Sequence, residues 1–526
     1  MSVITSYLSQ AVQWATASAQ HSLAALVALF AIYVVYVLSA SPHASLPGPF
    51  LARFTDLWMA RQAMRGDRSL VIHEEHKKHG TFVRLGPTHV SIADPTALNS
   101  VYGHSTGTTK SEFYDAFAAP NFPRGLFNTR SRPEHTRKRK MVSHTFAPKN
   151  VQAFEPFIRR EVETLCGRFD EFAKAAKEKG EEWFTLDALD WLNFYAFDTI
   201  ASLAFGSVFG MMEQGRDDAD VVFENADGST RVETVPAVRI INERGEYSAT
   251  MGYVPVYLRP LAARIPWFAN RLKSVKRLTG IAVAKVNQRL KEGSERDDLL
   301  SRLSSGKDES GQPMGKEELT SEALTQLIAG SDTTSNTSAA LLYHVMTHPE
   351  VKEKLVKELD ESLKSVDVGD VPVGTDVAEL PYFNAVVSES LRYHSTSSMG
   401  LPRLVPEGGA VICGKHFPAG TTLSVPAYTI HRNQSVWGSD ADSYNPDRWL
   451  ATKDARANFE RAFVPFSIGP RACVGRNVAL LELQLLLSTL FRRYDFELAR
   501  PGQEMNTIEG FLRKPVALPV KIKRRQ

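Results

Sequence analysis

Cysteine is scarce in this chain of 526 residues. Cys166, Cys413 and Cys473 are odd in number, far apart and without a CxxC spacing. That excludes a disulfide framework and a tetrahedral zinc site, and suits reduced thiols facing the cytosol. An excess of one charge is also lacking: 62 Lys and Arg stand against 59 Asp and Glu, and no basic run alternates with aromatics. Nucleic-acid binding is set aside on that ground. No long Gly/Ser linker, internal repeat or low-complexity tract divides the chain. One large body is therefore predicted, although length alone suggests about three domains. A GxGxxG fingerprint is absent too, so electrons for any redox chemistry must come from a separate protein.

The N-terminus has no charged residue before Arg53, and Leu23 to Leu38, "LAALVALFAIYVVYVL", is unbroken apolar sequence. With its flanks, Ser22 to Ala40, it would span roughly 28 Å as a helix, close to the hydrocarbon thickness of the endoplasmic reticulum bilayer. A cleaved signal peptide ending at "SAS" is the competing reading, but its positive n-region is missing. Arg53, Arg61, Arg65 and Arg68 follow the run, which by the positive-inside rule keeps the body cytoplasmic. "LPGP", Leu46 to Pro49, serves as a stiff elbow. These features divide the chain into an anchor over 1–45 and a body over 46–526.

Helical patterning dominates the body. In "HPEVKEKLVKELDESL", His348 to Leu363, Pro349 suits the first helical position, and Val351, Leu355, Leu359 and Leu363 recur every four residues. Strand signals are short: His416 to Ile430 has a Pro-Ala-Gly turn followed by β-formers and predicts part of a small hairpin sheet. Met211 to Thr234 is polar and poorly periodic, which predicts a loop or lid.

"FSIGPRACVG", Phe466 to Gly475, precedes an apolar helix predicted from Asn477 to Tyr494. A cysteine at a helix entrance gains thiolate character from the positive helix end. Gly469 and Gly475 lack a Cβ and let a flat ligand approach the backbone, while Arg471 offers a cation to an acidic group. Taken singly, Cys473 reads as an inert buried thiol beside a turn. Together, Phe466, Gly469, Arg471, Cys473 and Gly475 resemble the haem-binding loop of the cytochromes P450, Phe-x-x-Gly-x-Arg-x-Cys-x-Gly. The resemblance implies a mainly α fold with small β-sheets, haem b as cofactor and Cys473 as the axial ligand of its iron.

Further motifs of that family occur in order. Glu389 and Arg392 in "ESLR" share a helix face predicted over Tyr382 to Tyr393, where an isolated surface pair would be worth about 0.3 to 0.5 kcal/mol. In the family this pair joins an arginine represented here by Arg448 of "NPDRW", with Asp447 where Glu is frequent. "AGSDTTSNTS", Ala329 to Ser338, reads by composition as a loop. It also resembles the oxygen-binding part of the long central P450 helix, with a local opening at which Asp332 and Thr333 relay protons. His135 in "HTRKR" stands where many members have Trp. With Arg139, Arg403 and Arg471 it would hold the haem propionates. Arg137, Lys138 and Lys140 form either a solvated face or a docking patch for an acidic electron donor.

Over essentially the whole body, segments such as "SEFYDAF", "RGLFNTR", "NERGEYSAT", "HSTSSMGLPR" and "GFLRKP" resemble the fungal benzoate 4-monooxygenases. That likeness implies para-hydroxylation of benzoate to 4-hydroxybenzoate with O2 and NADPH. Electrons would arrive through NADPH–cytochrome P450 reductase, with cytochrome b5 as an optional second donor, at the endoplasmic reticulum membrane. Tyr114, Arg244, Ser397, Ser398 and Met399 are the candidate substrate contacts, and for Arg244 an exposed loop position is the competing reading. The alternatives are a P450 acting on another aromatic or lipid, a non-catalytic haem-thiolate sensor or electron carrier, and, more remotely, a cysteine hydrolase, for which no His–Asn/Asp partner pattern accompanies the thiol.

Overall fold

The computed structural model describes residues 21–224, 229–293, 298–308 and 311–525. Two helices frame the body. Lys316–Thr347 runs through its middle, buried along most of its length, and Arg476–Arg493 packs below it with Leu485, Leu486 and Leu487 fully enclosed. The Thr334 hydroxyl donates to Glu482 Oε2 at 3.0 Å and fixes one helix over the other. Beside them lies Ala188–Phe205, whose entry is capped by Asp187 accepting from the Leu189 amide at 2.9 Å.

The polar run does not interrupt the central helix. Ser331 Oγ and Thr333 Oγ1 each donate 2.7 Å to the carbonyl four residues back, Leu327 and Ala329, so the hydroxyls are satisfied within the helix itself. The loop reading and the expected local opening are both corrected: the helix is continuous from Lys316 to Thr347. Pro349–Ser362 forms as predicted, with Val351, Leu355 and Leu359 buried.

One loop prediction and one strand prediction need revision. Met211–Gln214 is a helical turn, and Ala219–Glu224 pairs antiparallel with Thr230–Val235, Ala219 opposite Val235. Ala219 and Val221 are buried on either side of exposed Asp220, a two-residue period hidden by the polar composition of the segment. Residues 225–228 of the expected loop lie outside the described residues. The Pro418-Ala419-Gly420 turn does not close a hairpin. It passes the chain from Lys415–Phe417, paired with Ala410–Ile412, to Thr422–Ser424 in a different sheet, and Ala427–Ile430 is helical.

That second sheet has five strands in the order Phe82–Arg84, His89–Ile92, Thr422–Ser424, Arg403–Leu404, Thr109–Lys110. Its register sets Lys110 directly opposite Arg403. Near the C-terminus, Thr507–Glu509 and Arg513–Pro515 form a separate two-stranded hairpin whose tip is Gly510, Phe511 and Leu512. The apolar N-terminal helix, His21–Ala40, has a mean hydropathy of 2.5 and almost no burial, as a membrane span requires. Arg68, counted above among its cationic flank, is instead fully buried against Glu509, so Arg53, Arg61 and Arg65 make up that flank.

Candidate active site

Cys473 sits on the turn that feeds Arg476–Arg493, its amide donating to the Phe466 carbonyl at 2.8 Å. Gly469 has φ +71°, and a Cβ there would lie 2.0 Å from the Tyr102 carbonyl oxygen, so the turn admits only glycine at this position. A Cβ on Gly475 would meet nothing within 4 Å. The space beside the sulfur is thus open at backbone level, as a flat ligand requires.

The Cys473 side chain is exposed, yet burial pushes its thiol above the usual value, so the exposure is to an internal cleft. The backbone N–H groups of Gly475 and Arg476 and the charges of Arg139 and Arg476 oppose that shift without overcoming it. The expectation that the helix entrance alone yields thiolate character is corrected: desolvation outweighs the helix end. A coordinating metal would supply the missing stabilisation, because it deprotonates a ligating thiol outright.

Above this turn the structure gathers cations. Arg471 donates to the Thr129 carbonyl at 2.6 Å, Arg139 to the Ala472 carbonyl at 2.6 Å, and Arg403 to the Tyr114 hydroxyl at 3.0 Å. His135 lies among them as a neutral ring: burial, then the charges of Arg471, Lys110, Arg139 and Arg403, lower it to about 3. Lys110 was not legible in the sequence. It is 5% exposed, donates to the Phe127 carbonyl and lies 4.4 Å from the centroids of both the Tyr114 and Phe127 rings. Burial, then Arg403 and Arg471, push its ammonium well down, while burial and Arg403 lower Arg471 to about 10. Among the described residues no carboxylate lies within ion-pair distance of these five groups. A compact cationic cluster of this kind calls for an anion. A planar dicarboxylate carrying a thiol-seeking metal fits both halves of the cleft, and haem has that chemistry.

Glu389, Arg392 and Arg448 do meet, and in the core rather than at the surface. Arg392 reaches Glu389 through two bonds of 2.7 and 2.8 Å and also donates to the carbonyls of His431, Ala441 and Ser443. Arg448 Nε lies 3.2 Å from Glu389, and Trp449 Nε1 donates to the same carboxylate at 3.0 Å. Asp447 faces outward to Lys354 at 2.7 Å, which explains why an Asp serves there.

On the central helix, Ala329 is exposed and Thr333 half-exposed, between the buried runs that end at Leu327 and resume at Thr334. Asp332 accepts from Asn336 Nδ2 at 3.0 Å and borders a polar cavity of about 410 Å³ shared with Glu246, Asn336 and Lys514. The docking-patch reading of the "HTRKR" helix is corrected for two of its three residues. Lys138 is 1% exposed and pairs with Glu318 and Glu322, while Arg137 pairs with Glu134 at 2.8 Å and with Glu318.

The substrate candidates fall into distinct environments. Arg244 is in the helix Ala237–Met251, not a loop. It is half-buried, donates to the Phe117 carbonyl at 3.2 Å, and burial lowers it to about 10. Phe117, Phe127 and Phe511 form a mutual edge-to-face triad with centroids 4.9 to 5.4 Å apart, and Tyr114 flanks it. These phenylalanines escaped the sequence reading because Phe511 lies far along the chain from Phe117 and Phe127 and meets them only in the fold. The Tyr114 hydroxyl is committed to Arg403, and Ser398 is fully buried with its hydroxyl on the Ser395 carbonyl. Met399 is buried in the same cluster as Tyr114 and Phe117, and Ser397 is half-buried.

Comparison with known proteins agrees with this geometry. The family model described as cytochrome P450 matches residues 46–522. A benzoate 4-monooxygenase of Aspergillus niger is 48% identical over 91% of this chain and 93% of its own length. A cytochrome P450 monooxygenase of Aspergillus flavus is 31% identical over 91% and 92%. The crystal structure of the cytochrome P450DA haem domain superposes with a TM-score of 0.73 at 19% identity, covering 91% of this chain and 98% of that one.

Proposed function

Because the chain belongs to the cytochrome P450 family, we propose that it is the monooxygenase that hydroxylates benzoate para to its carboxylate, using O2 and electrons from NADPH through a separate reductase. One observation carries the substrate assignment. Arg244, a half-buried cation with no carboxylate partner among the described residues, stands beside a wall of phenylalanine rings. Such a pocket takes a flat apolar ring with an anion at one end. The benzoate activity of the Aspergillus niger relative supports the same substrate.

Haem, when bound, supplies the oxygen activation; Cys473 would ligate its iron, and Arg139, Arg403, Arg471 and His135 would receive its propionates, with Phe466 and Gly469 shaping the turn. The remaining work belongs to the polypeptide. Arg244 holds the substrate carboxylate, the three phenylalanines and Met399 exclude water, and Ser397 adds a hydroxyl. Thr333 turns its hydroxyl from the Ala329 carbonyl to pass a proton inward. Asp332, bordering the polar cavity, replenishes that proton from solvent. Residues 1–45 anchor the body, 46–526, in the endoplasmic reticulum membrane. Exposed Phe50, Leu51, Tyr257 and Leu261 add apolar surface outside the span.

The test is spectroscopic and chemical. Benzoate added to the purified holoprotein is expected to shift the haem spectrum, and turnover with reductase and NADPH to yield 4-hydroxybenzoate. Arg244→Ala is expected to weaken benzoate binding by about 10- to 100-fold, the worth of a hydrogen bond to a charged group. Unchanged affinity in that variant removes Arg244 from the site.

A further inference from the structure

The hairpin that delivers Phe511 to the aromatic wall is only two strands of three residues, Thr507–Glu509 and Arg513–Pro515. A ribbon of that size cannot hold its own position in water. Its turn end is gripped by a residue 441 positions away. Glu509, 2% exposed, receives Arg68 Nη2 at 2.8 Å and Nε at 3.2 Å, the Ser69 amide at 2.8 Å and the Ser69 hydroxyl at 2.9 Å. Arg68, fully buried, also donates to the Gly510 carbonyl at 2.9 Å, and the Glu509 amide donates to the Gly66 carbonyl at 2.8 Å. Gly66 has φ +76°, and a Cβ on it would lie 2.5 Å from Ile508 Cγ1, so strand and helix terminus are in direct contact.

The turn that follows directly has its own constraint. A Cβ on Gly510 would lie 3.2 Å from the Glu246 amide nitrogen, which places the turn against the helix that carries Arg244. Phe511 then stands 4.9 Å from Phe117 and 5.3 Å from Phe127. A carboxylate held by four donors fixes the direction of the strand as well as its place, and a buried ion pair is better suited to specifying one arrangement than to adding net stability.

We infer that the Arg68–Glu509 pair is a positioning clasp that sets Phe511 against the bound ring and thereby determines which ring carbon is presented for oxidation. The inference deepens the aromatic-carboxylate reading and rests on it for the substrate.

The experiment uses the full-length haem-loaded protein and the variants Glu509→Gln, Arg68→Lys, Ser69→Ala, Phe511→Ala and Glu509→Gln/Phe511→Ala. Binding of 4-phenylimidazole relative to imidazole, read from the haem spectrum, reports the aromatic wall without any substrate. Glu509→Gln is expected to lower that ratio about tenfold with the thiolate-type carbonyl band retained, and the double variant to be no worse than Phe511→Ala, because both act through one ring. With benzoate, the same variants should weaken the spectral shift and release a second hydroxybenzoate isomer. If Glu509→Gln loses haem, Arg68→Lys and Ser69→Ala, which each remove part of the donor set, must show graded losses in the ratio. An unaltered ratio in the folded variants, or additive losses in the double variant, overturns the clasp. Absence of any benzoate shift in the unsubstituted protein sinks the substrate reading instead, and the imidazole pair still decides the clasp.

Discussion

At the scale of single residues, burial repeatedly overrides the local rule a sequence suggests. Glu482 is the sharpest case: it is 2% exposed, it accepts from the Thr334 hydroxyl, and burial raises it to about 8. The folded protein therefore keeps a proton that the unfolded chain releases near 4.5. Between those two values the native state binds more protons, so this group's contribution is full below pH 4.5, falls as pH rises, and is lost above about pH 8. Glu482→Gln keeps an acceptor for Thr334 and cannot ionise. The variant should match the parent at pH 5 and exceed it at pH 8 by on the order of 3 kcal/mol in denaturant unfolding. Parallel stability profiles would show that Glu482 does not titrate in the fold. A second residue-scale prediction concerns Thr333, whose hydroxyl donates to the Ala329 carbonyl at a break in the burial of the central helix. On the proposed proton relay, Thr333→Ala should leave NADPH consumption running while product per NADPH falls at least about tenfold. Unchanged coupling would exclude Thr333 from proton delivery. The turn that carries Arg471 and Cys473 was legible because Phe466, Gly469, Arg471, Cys473 and Gly475 are rare together at that spacing. Lys110 was not, because an isolated lysine in a strand carries no signal until the register sets it opposite Arg403.

At the scale of elements, what could be read was periodicity and what could not was pairing between distant segments. The helix Pro349–Ser362 declares itself by a four-residue apolar repeat, whereas the hairpin Ala219–Val235 hides its two-residue period in polar composition. The helix Pro381–Tyr393 shows both sides. Its Glu389–Arg392 spacing is visible in the sequence, but the carbonyls of His431, Ala441 and Ser443, which turn a surface-type pair into a buried hub, are not. The difference is large in energy. An exposed pair contributes about 0.3 to 0.5 kcal/mol, whereas removing one partner of a buried pair costs about 3 to 5 kcal/mol. Lysine cannot reproduce the planar fork that satisfies Glu389 and three carbonyls at once. Arg392→Lys should therefore lower the stability of the haem-loaded protein by that larger amount, measured by urea unfolding, and promote haem loss. A variant within 1 kcal/mol of the parent would mean the hub is replaceable.

At the scale of the whole molecule, the apolar N-terminal helix is joined to the rest of the protein by packing as well as by covalent continuity. Val37 and His43 are buried, His43 Nε2 hydrogen-bonds with Thr421 Oγ1 at 3.1 Å, and the Arg84 guanidinium donates to the His43 carbonyl at 3.2 Å. Just after the elbow begins, Leu46 is 2% exposed and the Arg84 amide donates to the Pro47 carbonyl at 2.8 Å. The apolar run, the absence of early charge and the "LPGP" elbow could all be read from the sequence. The docking of residues 41–45 could not, because it depends on strand Phe82–Arg84 folding back beside them. Two truncated proteins separate tether from packing. One beginning at Ser41 and one beginning at Leu46 both lack the span and should both be recovered without detergent extraction. The shorter one leaves Thr421 without its histidine and Arg84 without one of its carbonyl acceptors. It should be less stable by about 1 to 3 kcal/mol, the range for losing buried hydrogen bonds that include a charged donor. Equal urea midpoints would show that residues 41–45 serve only as a linker, and the body would then be free to tilt about the elbow.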